Sequence, residues 1–229
     1  SFVALVTPMK SNGEIDLPAL KELVEWHIES GTHGLVSVGT TGESATLNFN
    51  DHVKVLEKTI SYIDNKIVAI AGTGANSTDE AIELNKAASS IGYEFALSVT
   101  PYYNKPNQLG LEAHYNKIAD SSVIKNILYN VPSRTACDLE PETVNKLIHH
   151  ENIVGIKEAV DDPKRYKALI KMAKNSSEPF YVLSGDDPTY FEFMKSGGDG
   201  VISVAANVIP AQVAPVSYTH LTLPTSTHV

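Results

Sequence analysis

The chain has 229 residues, 42% of them apolar and 20% charged, with a formal net charge of −9 and a single cysteine, Cys137. A chain of this length buries roughly 70–75% of its unfolded surface, the lone cysteine excludes a disulfide framework or a Cys-rich zinc site, and the negative charge argues against nucleic acid or an anionic membrane as partner. No apolar run approaches the roughly 20 residues that span a bilayer, and no basic-then-apolar leader opens the chain, so a cytoplasmic protein is expected, short of a few residues before Ser1.

In chain order, the first β-rich apolar run is FVALVTP from Phe2. A helix-period stretch follows in which Leu20, Leu23, Val24, His27 and Ile28 share one face and Gly31 marks the stop. GLVSVGT from Gly34 is the second run, and the next helix is expected to be capped by Asn50 or Asp51 and to bury Val53, Leu56 and Ile60. After IVAIAGT from Ile67, a helix starts at Ser77 or Thr78, with Asp79 and Glu80 in the first turn where acids suit the helix dipole. FALSVTP from Phe95, ILYNVP from Ile127, IVGIKEA from Ile153, FYVLSGD from Phe180 and GVISVA from Gly200 complete the set.

These runs lack polar/apolar alternation, as strands covered on both faces of a parallel sheet do. Their starts lie about 20–33 residues apart, the size of a strand-helix unit. Eight such units predict a (β/α)8 TIM barrel. A doubly wound sheet is the competitor, but its Gly-rich phosphate turn is missing after the first strand, which ends Thr7-Pro8-Met9. No Lys, Arg, Asp or Glu follows Asp199. Residues 207–214 could begin a last helix, but Pro215 and Pro224 are expected to interrupt it. The expected division is therefore a barrel domain over 1–214, without a complete last helix, and a non-native or disordered tail over 215–229.

In such a barrel, function sits at the C-terminal ends of the strands. Those ends supply Thr7, the Gly39-Thr40-Thr41-Gly42-Glu43 turn, Gly72-Thr73-Gly74, Thr100 to Tyr103, Tyr129-Asn130, Lys157-Glu158, Ser184-Gly185-Asp186 and Ser203. Lys157 stands out because it follows four residues of buried strand, whereas Lys66 and Lys125 sit at strand starts. A desolvated lysine becomes a neutral amine able to attack a carbonyl; a salt bridge from Lys157 to Glu158 or Glu43 would account for it equally well. Tyr129, at the end of the preceding strand, could relay protons or simply close the barrel with its hydroxyl on backbone. Thr40 and Thr41 offer hydroxyls and backbone N–H groups to a small carboxylate. Arg134 could hold a second carboxylate or stand on the surface. Gly72-Thr73-Gly74 lacks the third glycine of a dinucleotide fingerprint, the eight histidines show no ligand spacing, and neither a metal nor an organic cofactor is expected.

The segments ALVTPM at 4–9, VSVGTTGESATLN at 36–48, AGTGAN at 71–76, VTPYYNKP at 99–106, ILYNVPSRT at 127–135, GIKEA at 155–159, LSGDD at 183–187 and GVISVAAN at 200–207 together resemble the dihydrodipicolinate synthase family of the class I pyruvate aldolases. The resemblance runs over about residues 2–214. It implies a lyase of lysine and diaminopimelate biosynthesis that joins pyruvate to L-aspartate 4-semialdehyde. By this resemblance Lys157 forms the Schiff base; Thr40 and Thr41 bind the pyruvate carboxylate, with Gly185 and Ile202 in the same pocket. Tyr129, Thr41 and Tyr103 form a proton relay, Tyr103 reaching a neighbouring subunit's site, and Arg134 receives the carboxylate of the aldehyde. A homo-oligomer, dimer or tetramer, is implied. L-lysine is implied as an inhibitor at Ser44, Ala45, His52, Asn76, Glu80 and Tyr102, although Phe49 stands where sensitive members often have His. The family continues past the eighth strand with further helices absent from this sequence. The GTTGE turn and Arg134 favour the synthase over an N-acetylneuraminate lyase, and a non-catalytic binder or an inactive fragment is the alternative from another class.

Overall fold

The computed structural model describes residues 1–219. Eight parallel strands close into a barrel in sequence order, with the first strand paired to the last. They are β1 (Phe2–Ala4), β2 (Gly34–Ser37), β3 (Val68–Gly72), β4 (Phe95–Val99), β5 (Lys125–Asn130), β6 (Ile153–Glu158), β7 (Tyr181–Ser184) and β8 (Gly200–Ser203). The connecting helices are α1 (Leu17–Glu29), α2 (Phe49–Ile63), α3 (Thr78–Ser90), α4 (Gln108–Asp120), α5 (Pro132–Thr135), α6 (Pro141–Leu147), α7 (Pro163–Lys174), α8 (Tyr190–Lys195) and α9 (Pro210–Thr219). No helix among the described residues is long and apolar enough to cross a membrane.

Two concentric cores hold this arrangement. Ala4, Val36, Ile70, Leu97, Ile127, Tyr129, Leu183 and Ile202 fill the barrel itself. Outside it, Leu20, Val24, Leu35 and Leu56 seal the side of α1 and α2, while Leu111, Leu128, Val144, Ile156 and Phe193 seal the side of α4 to α8. Layered apolar side chains of this kind make the barrel a packed core rather than a pore.

Helices α1, α2, α3, α4 and α7 start where a polar side chain satisfies a free N–H group. Asp16 accepts from Ala19 N at 3.1 Å, and Ser77 caps α3 as expected. The cap of α2 is Asn48, which accepts from Asp51 N at 3.0 Å, two residues earlier than Asn50. That start rotates the buried face onto His52, Val55, Leu56, Thr59 and Ile63, leaving Val53 and Ile60 only half-buried.

The expectation that Pro215 interrupts the last helix is corrected: α9 runs through it to Thr219. Proline removes one i→i−4 bond, and the burial of Val213 and Ala214 against the barrel offsets that loss. The boundary expected at 214/215 thus falls inside α9, and residues 220–229 of the expected tail lie outside the described residues.

One irregularity decides which way β6 faces. Asn126 pairs with Ile153, but Ile127 pairs with Gly155, so β6 carries one extra residue there. Strict alternation from the outward Ile153 would turn Lys157 outward as well. The bulge inverts the parity beyond it, and Lys157 pairs in register with the inward Tyr129.

Candidate active site

At the C-terminal mouth of the barrel, Lys157 is 3% exposed, with its Nζ 4.2 Å from the centroid of the Tyr129 ring. Among the described residues no carboxylate lies within ion-pair distance of Nζ, and Glu158 is paired with Arg165 instead. Burial lowers the Lys157 pKa from 10.5 to about 7; the Asp187 carboxylate opposes the shift and the Arg134 guanidinium adds to it. A substantial share of the amine is therefore neutral near pH 7. Gly185 packs on its stem: a Cβ there would lie 2.8 Å from Lys157 Cε and 2.9 Å from Ala159 Cβ. Ile202 is fully buried beneath, in the inner core.

The turn after β2 approaches from the side. Val38 takes φ +52°, a left-handed conformation costly for a β-branched residue. Its carbonyl sits where a Cβ on Gly72 would come within 2.2 Å, so only glycine fits opposite. Thr7 Oγ1 donates to the Gly42 carbonyl at 2.7 Å, fixing the far end of the turn. The Tyr129 phenol is hydrogen-bonded to Thr40. The Thr40 side chain is thus the one from the turn that acts on the Tyr129 phenol. Burial pushes the phenol's pKa up, while the Arg134 charge and the Thr40 bond oppose the rise. Arg134, exposed on the short α5, is near enough to act on both Tyr129 and Lys157.

Other predicted residues gather less completely. Thr40 and Arg134 line a cavity of about 320 Å³ together with Ser44, Ala45 and Tyr102, so two sites expected separately border one space. Tyr102 is bonded to the Asn76 backbone and feels the charge of Glu80. His52 does not line this cavity: it is buried, with Nε2 2.7 Å from the Gly72 carbonyl. Phe49 is half-exposed at the start of α2. Tyr103 is 90% exposed at φ +72° and stands clear of the Lys157–Tyr129 pair within this chain.

Two features escaped the sequence. Behind the lysine, Glu158 receives Arg165 Nε at 2.8 Å, Asn130 Nδ2 at 3.0 Å and Val160 N at 3.0 Å. Arg165 also donates to Asp138 at 2.9 Å and to the Leu139 carbonyl, tying α7 to the loop beyond Arg134. Asp187, one residue past the rim segment of β7, accepts from Val204 N and Ala205 N. Its place just beyond a strand end was the available signal.

A closed parallel barrel with a buried amine of lowered pKa at its mouth has the architecture of an aldolase-type lyase. The profile of the Dihydrodipicolinate synthetase family matches residues 1–219, and the chain belongs to that family. Among curated relatives, the 4-hydroxy-tetrahydrodipicolinate synthase of Pseudoalteromonas atlantica is 51% identical over 214 residues, 93% of this chain and 72% of that protein. The same-named protein of Ruthia magnifica is 55% identical over 214 residues, covering 93% and 71%. The crystal structure of the chloride-inhibited dihydrodipicolinate synthase from Acinetobacter baumannii, complexed with pyruvate, superposes with a TM-score of 0.93 at 50% identity, covering 96% of this chain and 75% of that one. The Cyanidioschyzon merolae enzyme with lysine bound gives 0.89 at 36% identity, covering 95% and 74%.

Proposed function

We propose that this chain is a 4-hydroxy-tetrahydrodipicolinate-forming lyase that joins pyruvate to L-aspartate 4-semialdehyde through an imine on Lys157. The observation that carries the proposal is the Lys157 amine itself, buried without a carboxylate partner, with a pKa near 7, against the Tyr129 ring. The neutral amine adds to the keto carbon of pyruvate, and loss of water with uptake of one proton, relayed from solvent through Tyr129, leaves the protonated imine. Loss of a methyl proton gives the enamine, whose carbon bonds to the aldehyde carbon while the aldehyde oxygen takes up a proton. The amine of the second substrate then attacks the imine carbon, the bond to Lys157 breaks, and the cyclic product leaves.

The other residues serve these steps. Tyr129, hydrogen-bonded to Thr40, both donates and accepts protons beside Nζ. This geometry supports Thr40 as its relay partner, with Thr41 on the pyruvate carboxylate. The turn of Thr40 and Thr41 and the guanidinium of Arg134 supply local positive character in a chain of net charge −9. Gly185 and Ile202 shape the pyruvate end of the pocket. The outward Tyr103 supports a homo-oligomer, dimer or tetramer, in which the relay is completed by a partner copy. L-lysine is the proposed regulator at the cavity of Ser44, Ala45 and Tyr102, with Asn76 and Glu80 behind Tyr102. It should bind weakly, because Phe49 offers no polar group and His52 is committed to Gly72.

Incubation with pyruvate and borohydride, followed by intact-mass measurement, tests the central step. A reduced adduct is expected in the natural chain and none in Lys157→Ala; folded protein that traps nothing would refute the mechanism. Condensation with L-aspartate 4-semialdehyde, measured against cleavage of N-acetylneuraminate, then fixes the substrate.

A further inference from the structure

Lys157 can react only because it faces the mouth, and that direction hangs on where the surplus residue of β6 is lodged. Ile153 lies in the outer core and Val154 packs against the inner one, whereas further on Ile156 is outer and Lys157 stands beside the inner Tyr129. The parity therefore changes between Val154 and Gly155, where Asn126 pairs with Ile153 but Ile127 with Gly155. Were the surplus absorbed beyond Lys157 instead, the amine would face the helices.

Asn126 fixes the pairing before the bulge. It is 2% exposed. Its backbone N–H donates to the Asn152 carbonyl at 2.7 Å, and its Nδ2 reaches the same carbonyl at 3.4 Å and the Ile124 carbonyl at 3.0 Å. Its Oδ1 accepts from Asn85 Nδ2 at 2.7 Å, and Asn85, on α3 and equally buried, accepts from Ser122 Oγ at 2.6 Å. Every side-chain polar atom of the two asparagines is thus bonded, and a saturated buried network of this kind rigidifies one arrangement. Asn152 is held from its other side as well: its Nδ2 donates to the Ala119 and Ser122 carbonyls at 3.2 and 3.0 Å, and its Oδ1 accepts from Lys125 Nζ at 3.2 Å. The residue before β6 therefore cannot slide along β5. On the far side of the bulge Gly155 supplies the room, since a Cβ there would meet the Tyr181 carbonyl at 2.6 Å.

We propose that Asn126, held by Asn85, is a positioning residue for Lys157: by anchoring Asn152 it keeps the surplus residue at Val154 and Gly155 and so directs the amine into the barrel. The catalytic consequence rests on the imine mechanism, whereas the direction of the amine can be read without pyruvate.

Asn126→Leu, close in volume and without polar atoms, tests it. Pyruvate trapping with borohydride, counted per folded molecule, should slow about tenfold. Competitive labelling of the amines with acetic anhydride, resolved by peptide mass, reads the titration of Lys157 itself. Its midpoint is expected near 7 in the natural chain and should move by at least about one unit in the variant. A residue serving stability alone would lower the melting temperature and leave both readouts of the folded protein unchanged; either readout unchanged would overturn the assignment. Should Asn126→Leu fold poorly, Asn85→Ala decides, because it leaves both strand sequences intact and suits a helix. It should slow trapping by about threefold or more, and a smaller change would overturn the assignment. A natural chain that traps no pyruvate would refute the imine mechanism, while the labelling midpoints would still decide whether Asn126 directs the amine.

Discussion

Lys157 and Glu158 are consecutive on β6, equally buried and oppositely charged, yet their surroundings differ in every respect. Glu158 faces the shell between barrel and helices, where Arg165, Asn130 and Val160 saturate its oxygens. Lys157 faces the barrel mouth, where an aromatic ring and a glycine lie against it and no carboxylate pairs with it. A buried charge that is paired on all sides holds a structure together, whereas one left unpaired sheds its proton and becomes reactive. The contrast separates a structural ion network from a reactive amine within a single dipeptide.

Breaking the paired side should cost the most stability. Arg165→Met strands the Glu158 carboxylate, and denaturant unfolding is expected to show a loss of about 3–5 kcal/mol. Most of that should return when Glu158→Gln is added; a single-variant loss below about 1 kcal/mol would erase the contrast.

Removing the unpaired charge should have the opposite sign. The Lys157 pKa drops from 10.5 to about 7 on folding, so burial of the ammonium opposes folding in full below pH 7. Between pH 7 and 10.5 the unfolded chain holds the proton and the folded one does not, so this penalty shrinks as pH rises and is gone near 10.5. Lys157→Met is expected to be more stable than the natural chain by about 4 kcal/mol near neutrality, with the advantage fading in melts taken toward pH 10. A variant less stable at pH 7 would mean that the amine has a partner after all.

The smallest effect sharpens the geometry. Gly185→Ala places a methyl group 2.8 Å from Lys157 Cε, so the stem must shift. Pyruvate trapping should slow about tenfold, and the 2.9 Å approach to the Ala159 Cβ, which has no rotamer to move away, should lower the melting temperature as well; an unchanged rate would show that the stem position is not critical.

Much of this was legible in the residue order. The strand runs, their spacing and the rule that barrels work at their C-terminal rims led to Lys157, Tyr129, Thr40 and Arg134 without coordinates. The cap of α2 was placed two residues late because Asn48, Asn50 and Asp51 all satisfy the same capping chemistry, and only the packing of His52 and Leu56 chooses among them. Pro215 read as a stop because propensity is local, whereas the contacts of Val213 are not. His52 stood among the residues implied for L-lysine, but the carbonyl that claims it comes from Gly72, 20 residues away. The Arg165 network was invisible for the same reason: its members are polar residues from four separate elements or loops.

The amino-acid order alone determined a barrel of eight repeating units and put an amine at the end of the sixth strand, because both follow from composition and spacing along the chain. Whether that amine looked inward was settled only in three dimensions. Alternation along β6 would have turned it toward the helices, and the extra residue opposite Asn126 and Ile127 reverses the pleat. A bulge is a property of two strands in register, so one strand read by itself cannot reveal it.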